Sequence, residues 1–235
     1  MMKREFEKYF GDKPIILRND HFVFRSGRHG DVYVNKDEFY LYRDALRKFC
    51  DSFIWAWGSY FCNMEAIVSP AVAGVRFGDM VADIFSSWQR RSVMSICVDK
   101  DEKHKLVLKR GLEKRVKGRK VIIADDVLHS GATLKELVKI VRQAGGEILA
   151  AIVLFNREEI TADDLNIPKL VSAIELKFDS WEAKDCPLCK RGVPINQEFG
   201  RGREAVIKQI FQVMEEKSKG TGLELIFNPQ DDKDA

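Results

Sequence analysis

Between residues 66 and 175 the chain alternates short apolar runs with stretches of helical period. Ala66–Ser69, Ser92–Val98, Val121–Ala124, Ile148–Phe155 and Val171–Glu175 are predicted strands, several of them apolar without interruption, as strands covered on both faces are. Between them, Gly74 to about Arg90 places Phe77, Met80, Val81 and Ile84 on one helical face, and a helix from Leu134 does the same with Leu137, Val138, Val141 and Ala144. Upstream, His21–Phe24 and Val32–Asn35 are predicted as short strands around the turn Ser26-Gly27-Arg28, followed by a helix over Glu38–Trp57. Strands alternating with helices imply an α/β fold with a doubly wound parallel sheet. No internal repeat and no Gly/Ser- or Pro-rich linker divides the chain, so one domain over 1–227 is expected, with 228–235 (NPQDDKDA) as a disordered tail.

Composition changes this picture little: 45% hydrophobic and 32% charged residues are ordinary for a globular protein that stays in water. No apolar run reaches membrane-span length, and the charged, aromatic start MMKREFEKYF lacks a signal-peptide core. The five cysteines, an odd number, do not suggest a disulfide framework, and a cytoplasmic protein is expected. Charge matters more. The net +3 conceals a block over 100–120 with ten Lys or Arg against three acids. Such a block suits a nucleic-acid patch, a solvated hairpin, or a mobile cover for a polyanionic substrate. Without interleaved aromatics, and running directly into a predicted strand, it favours the cover, so neither nucleic acid nor membrane is expected as a partner.

That strand opens the most informative segment, VIIADDVLHSGAT, Val121–Thr133. Two carboxylates, Asp125 and Asp126, are followed by Val127, Leu128, His129, Ser130, Gly131, Ala132 and Thr133, and then by a helix. A loop between the carboxyl end of a strand and the amino end of a helix offers free amides and the positive end of the helix dipole to an anion. Ser130 and Thr133 add hydroxyl donors, and Gly131 permits close approach of the backbone. Carboxylates repel phosphate but accept hydrogen bonds from a vicinal diol. The combination describes a ribose 5-phosphate. An acidic turn with an N-cap hydroxyl is the plain structural alternative.

The residues DDVLHSGAT resemble the phosphoribosyl-pyrophosphate (PRPP) loop of type I phosphoribosyltransferases, and four further segments, in the same order, are similar to that family and most of all to orotate phosphoribosyltransferases. Phe22–Arg28 with Tyr33 resembles the entry motif, Arg25 taking the place of the usual lysine; Ala71, Val72, Ala73 and Gly74 resemble the pyrophosphate loop, Ala73 standing where several orotate enzymes have lysine. Lys100, Lys103 and His104 resemble the catalytic loop that closes over PRPP, with Asp99 in place of a frequent arginine, and Arg157 in FNREE is similar to the arginine that grips the orotate carboxylate. The resemblance implies a small hood, formed by 1–37 and part of the C-terminal region, beside the parallel sheet. It implies transfer of ribose 5-phosphate from PRPP to orotate, with Lys100, Lys103, His104, Asp125 and Asp126 catalytic. It also implies Mg2+ carried through PRPP rather than by protein ligands, and a homodimer with shared active sites. A phosphoribosyltransferase for another base is the alternative if Arg157 faces solvent, and a PRPP-binding regulator without turnover is the one to which Ala73, Asp99 and His129, the last in place of the family's usual small residue, point.

Cys186-Pro187-Leu188-Cys189 with Gly192 looks like half a zinc knuckle, and it also resembles the C-terminal segment of a bacterial and archaeal subset of the orotate enzymes. A zinc site needs two further ligands, for which Cys50, Cys62 and Cys97 are the cysteines left; a structural turn is the alternative.

Overall fold

The structure is a computed structural model, and it describes residues 2–103, 105–157 and 160–221. From the N-terminus the elements are α1 (Met2–Phe10), β1 (Ile16–Val23), β2 (His29–Val34), α2 (Lys36–Leu41), α3 (Arg43–Trp57), β3 (Ala66–Pro70) and α4 (Ala73–Gln89). There follow β4 (Met94–Lys100), β5 (Leu106–Val107), α5 (Glu113–Val116), β6 (Lys120–Leu128), α6 (Ala132–Gln143) and β7 (Glu147–Asn156). The last are β8 (Leu170–Glu175), β9 (Ser180–Trp181), α7 (Pro187–Lys190) and α8 (Gly202–Thr221). They group into two compact units: residues 1–15 with 36–177, and residues 16–35 with 178–235.

The first unit is built on a six-stranded sheet ordered β5-β4-β3-β6-β7-β8. All neighbours are parallel except the short β5, which folds back antiparallel on β4. From β3 the chain crosses to β4 on one side, and from β6 it proceeds to β7 on the other. The carboxyl ends of β3 and β6 therefore flank the point where the winding reverses, where α/β sheets bind ligands. Burial follows the apolar runs: every residue of β3 is buried, as is every residue of β7 from Ala150 to Asn156. On one side Leu134, Leu137, Val138 and Val141 of α6 pack against Val121, Ile123, Ala151 and Val153. Phe6, Phe10, Phe39, Phe49 and Phe155 form a separate aromatic cluster with ring centroids 4.6–6.3 Å apart.

That cluster accounts for two departures from expectation. Phe6 and Phe10 tie the first fifteen residues to the parallel-sheet unit, so the expected hood boundary at 1–37 is redrawn: only 16–35 of that stretch group with the C-terminal region. The single helix expected over Glu38–Trp57 is two, broken at Tyr42, whose φ of −93° and ψ of 63° are not helical. The break lets α2 and α3 both aim phenylalanines at the cluster, with Phe39 and Phe49 6.2 Å apart and nearly perpendicular.

The second unit pairs β1 and β2 as an antiparallel hairpin, and β2 in turn carries β9. Arg28 after the turn donates from Nε to Ser180 Oγ (2.9 Å) and from Nη1 to Glu182 Oε1 (2.8 Å). The strand end is fastened to the downstream segment by Asn196 N–H donating to His21 O and Arg201 N–H donating to Val23 O, each at 2.8 Å. The tail expected at 228–235 lies outside the described residues.

Candidate functional site

The acidic pair stands inside β6 and not beyond its end as expected. Ladder pairing with β7 continues past the predicted stop at Ala124, through Asp125 opposite Val153 to Leu128 opposite Asn156. Asp125 and Asp126 are consequently buried, at 7% and 4% exposure. Asp125 accepts a hydrogen bond from the Asp126 backbone N–H (2.9 Å), and Asp126 Oδ1 accepts from Val127 N–H (2.7 Å). Asp126 Oδ2 is buried without a hydrogen bond, with Lys36 Nζ 3.4 Å away as its ion-pair partner. Two carboxylates this close and this buried cannot both ionise cheaply. Burial, reinforced by the charge of Asp126 and opposed by Lys36, pushes the Asp125 carboxyl up to about 8.

The loop after β6 encloses a pocket of about 60 Å³ lined by Asp125 and by Val127–Leu134. That is room for several waters or a tetrahedral anion. Gly131 has a φ of +76°, a conformation that costs glycine nothing, and it caps the helix beginning at Ala132. Lys135 N–H donates to Gly131 O at 2.9 Å, closing the first turn of the helix. His129, Ser130 and Thr133, all expected here, do line this pocket.

Across the winding reversal, β3 ends at Pro70 and α4 begins at Ala73, as the small-residue run suggested. The Ala71–Val72 peptide is cis, and Val72 is exposed. Glycine is required at position 74, because a Cβ there would lie 2.6 Å from Pro70 Cδ and 2.8 Å from Asp125 Oδ1. The structure thus brings the 71–74 turn and the acidic pair together.

The basic segment is more ordered than an open loop. Asp99 pairs with Val107 and Lys100 with Leu106, and the Asp101 carboxylate accepts hydrogen bonds from Lys103 N–H and Lys105 N–H, both at 2.9 Å. Lys103 is exposed on this hairpin; His104 lies outside the described residues. Arg157 follows β7, half-buried, with its N–H donating to Leu128 O at 2.9 Å, which seats it beside the 127–134 loop. Glu158 and Glu159, the carboxylates that follow it in sequence, are likewise outside the described residues. Arg25 is exposed in the hairpin turn of the second unit.

Three residues around the acidic pair were not legible in advance. Lys36 opens α2, Tyr40 follows one turn later, and Arg76 lies over the Tyr40 ring at 5.4 Å. Burial, with the charges of Asp126 and Asp125, holds the Tyr40 phenol well above its usual range, so it stays a neutral hydroxyl. The available signal was weak: a lysine directly after a predicted strand. Two more missed residues belong to the second unit, where Cys186 and Cys189 meet His21 and His29 rather than another cysteine.

A pocket at a helix terminus, beside buried carboxylates at the reversal of a parallel sheet, is the arrangement of a ligand-binding α/β protein. The chain belongs to the phosphoribosyl transferase domain family, matching it over residues 51–188. It is 25% identical over 194 residues to the orotate phosphoribosyltransferase of Caldanaerobacter subterraneus, covering 83% of this chain and 96% of that one. With the orotate phosphoribosyltransferase of Campylobacter lari it is 28% identical over 207 residues, covering 83% and 98%. The fold is shared with the crystal structure of orotate phosphoribosyltransferase from Aeropyrum pernix, at a TM-score of 0.54 and 21% identity, over 74% of this chain and 94% of that one. Among the described residues no helix is long and apolar enough to cross a membrane.

Proposed function

We propose that the protein is an orotate phosphoribosyltransferase, converting orotate and PRPP to orotidine 5-monophosphate and pyrophosphate. The observation that carries this is the buried Asp125–Asp126 pair beside the 127–134 pocket, in a chain resembling orotate enzymes over most of its length. In this reading the amides and hydroxyls of 129–133 take the 5-phosphate. Asp125 and Asp126 accept hydrogen bonds from the two ribose hydroxyls, and the 71–74 turn takes the pyrophosphate.

The nitrogen of orotate replaces pyrophosphate at the anomeric carbon, and positive charge builds on the sugar as the bond to the leaving group lengthens. The negative charge of the acidic pair beside the ribose stabilises that positive charge. Lys100 and Lys103 neutralise the departing pyrophosphate and exclude water when the hairpin closes. Arg157 pairs its guanidinium fork with the orotate carboxylate. The paired carboxylates, one with a buried oxygen that pairs with Lys36 but makes no hydrogen bond, also suit a hard divalent cation delivered with the substrate. Mg2+ bound through PRPP would supply charge neutralisation on the pyrophosphate.

A homodimer in which the basic hairpin of one subunit serves its neighbour's site belongs to the same proposal, as does a cytoplasmic location. The decisive measurement is pyrophosphate release with PRPP, Mg2+ and a panel of orotate, uracil, adenine and hypoxanthine. Turnover with orotate alone is expected; turnover with another base only, or with none, refutes the assignment.

A further inference from the structure

The sequence left the Cys186–Cys189 pair without partners; the second unit supplies them. His21, at the end of β1, and His29, at the start of β2, bring their ring nitrogens to the two sulfurs, and all four ligand atoms lie within 4.8 Å of one another. His21, His29 and Cys186 are almost wholly buried, at 1%, 3% and 0% exposure. We propose that His21, His29, Cys186 and Cys189 form a structural zinc site that clamps the N-terminal hairpin to the C-terminal segment.

The distances carry the assignment. Zn–S bonds of about 2.3 Å and Zn–N bonds of about 2.0–2.1 Å at tetrahedral angles place sulfur and nitrogen about 3.6 Å apart. Cys186 Sγ and Cys189 Sγ are each 3.6 Å from His21 Nε2, and Cys189 Sγ is 3.3 Å from His29 Nδ1. His21 Nε2 and His29 Nδ1, 2.8 Å apart, are closer than the about 3.4 Å of that tetrahedron, and a small outward shift of one ring opens the edge.

The surroundings are those of a ligand set. His21 Nδ1 lies 2.8 Å from Val193 O, and since a carbonyl only accepts, Nδ1 carries the proton. In the neutral ring the other nitrogen, the one facing the sulfurs, then presents the lone pair that a metal-bound histidine needs. The Cys189 backbone N–H donates to Cys186 Sγ at 3.5 Å, and Gly192, with a φ of +69°, turns the chain back after the second cysteine. Two thiolates and two imidazoles select zinc among the divalent ions, and four protein ligands leave no open position for catalysis.

The role follows from sequence distance. His21 and Cys186 are 165 residues apart, and the segments they belong to are otherwise joined by short strands and a few hydrogen bonds. Small units with little core are the ones that metal ligation stabilises most.

The test uses the full-length chain. Protein purified without chelator should contain about one zinc per chain by elemental analysis, and Co2+ exchanged into it should show the intense visible bands of tetrahedral cobalt with thiolate charge transfer. Cys189→Ser should weaken Co2+ binding by more than the ~10–100-fold typical of changes outside the ligand shell. His29→Cys, which keeps four donors, should retain tetrahedral binding, so a loss of metal is not confused with a loss of folding. Chelation should lower the melting temperature of the parent chain but not of Cys189→Ser. A metal-free parent that takes up Co2+ only with the weak octahedral spectrum, or a Cys186–Cys189 disulfide in the intact mass, would overturn the proposal.

Discussion

Lys36 Nζ stands 3.4 Å from Asp126 Oδ2, which is buried, while the lysine itself remains 42% exposed along its side chain. The pair joins the first residue of α2 to the β6 acids. Solvent screening on the lysine side keeps its direct contribution to stability small, roughly 0–1 kcal/mol. Its importance is electrostatic. Lys36 lowers the Asp125 carboxyl, opposing burial and the Asp126 charge. In Lys36→Met the Asp125 carboxyl should therefore ionise at higher pH, and the acid limb of kcat/KM for PRPP should move upward. A pH–rate profile with an unmoved limb would show that Lys36 does not set the charge of the pair.

The raised Asp125 carboxyl also predicts a conflict between stability and binding. Its folded value of about 8 exceeds an unfolded value of about 3.9, so between these pH values the unfolded chain binds fewer protons and folding weakens as pH rises. Below pH ~4 the group is protonated in both states and costs nothing. Asp125→Asn removes this dependence. The variant, without ligand, should gain in stability over the parent as pH rises from 5 to 8, yet bind PRPP poorly. Denaturant melts at pH 5 and pH 8, paired with PRPP titrations, check both halves; a stability difference between the two proteins that is the same at both pH values would refute the linkage.

The 100–107 hairpin bears on rate rather than affinity. Asp101 ties the backbone of Lys103 and Lys105, leaving the Lys103 side chain exposed. An exposed lysine acting on pyrophosphate only as it departs contributes little to the ground state. Lys103→Ala should lower kcat by about 10²-fold or more while changing PRPP affinity only a few-fold. Single-turnover rates and direct binding separate the two, and a loss confined to binding would reduce the hairpin to a docking patch.

The parallel sheet and its helices were legible because their signals are local: apolar runs for buried strands and one-sided periodicity in α4 and α6. The acid-bearing loop was legible for the same reason, since strand, carboxylates, turn and helix are contiguous. What escaped depends on distant packing. Nothing near Tyr42 announces a helix break that exists to serve the phenylalanine cluster, and nothing in the run Val121–Ala124 shows that β7 extends the pairing to Leu128. The partners of Cys186 escaped for a related reason. The Cys-x-x-Cys spacing says nothing of histidines, whereas the hairpin turn folds His21 and His29 toward each other from eight residues apart.

Arg157 decides the base in this reading. Its N–H bond to Leu128 O fixes it at the carboxyl end of β7, beside the loop proposed to hold the ribose phosphate, and its side chain is half-buried. A carboxylate brought into partly desolvated surroundings needs a charged donor there. Arg157→Ala would leave the orotate carboxylate without one, a loss on the order of 1.5–3 kcal/mol, or roughly ten- to a hundredfold in kcat/KM. Inhibition by uracil, which lacks the carboxylate, should hardly change, and PRPP binding should stay nearly intact. Lysine at this position should restore part of the loss, since it keeps the charge but not the bidentate fork. Steady-state kinetics of the alanine and lysine variants with orotate, with and without uracil as competitor, make the comparison. If the alanine variant uses orotate as well as the parent does, recognition of the carboxylate rests on another cation, and Arg157 is only the cap of its strand.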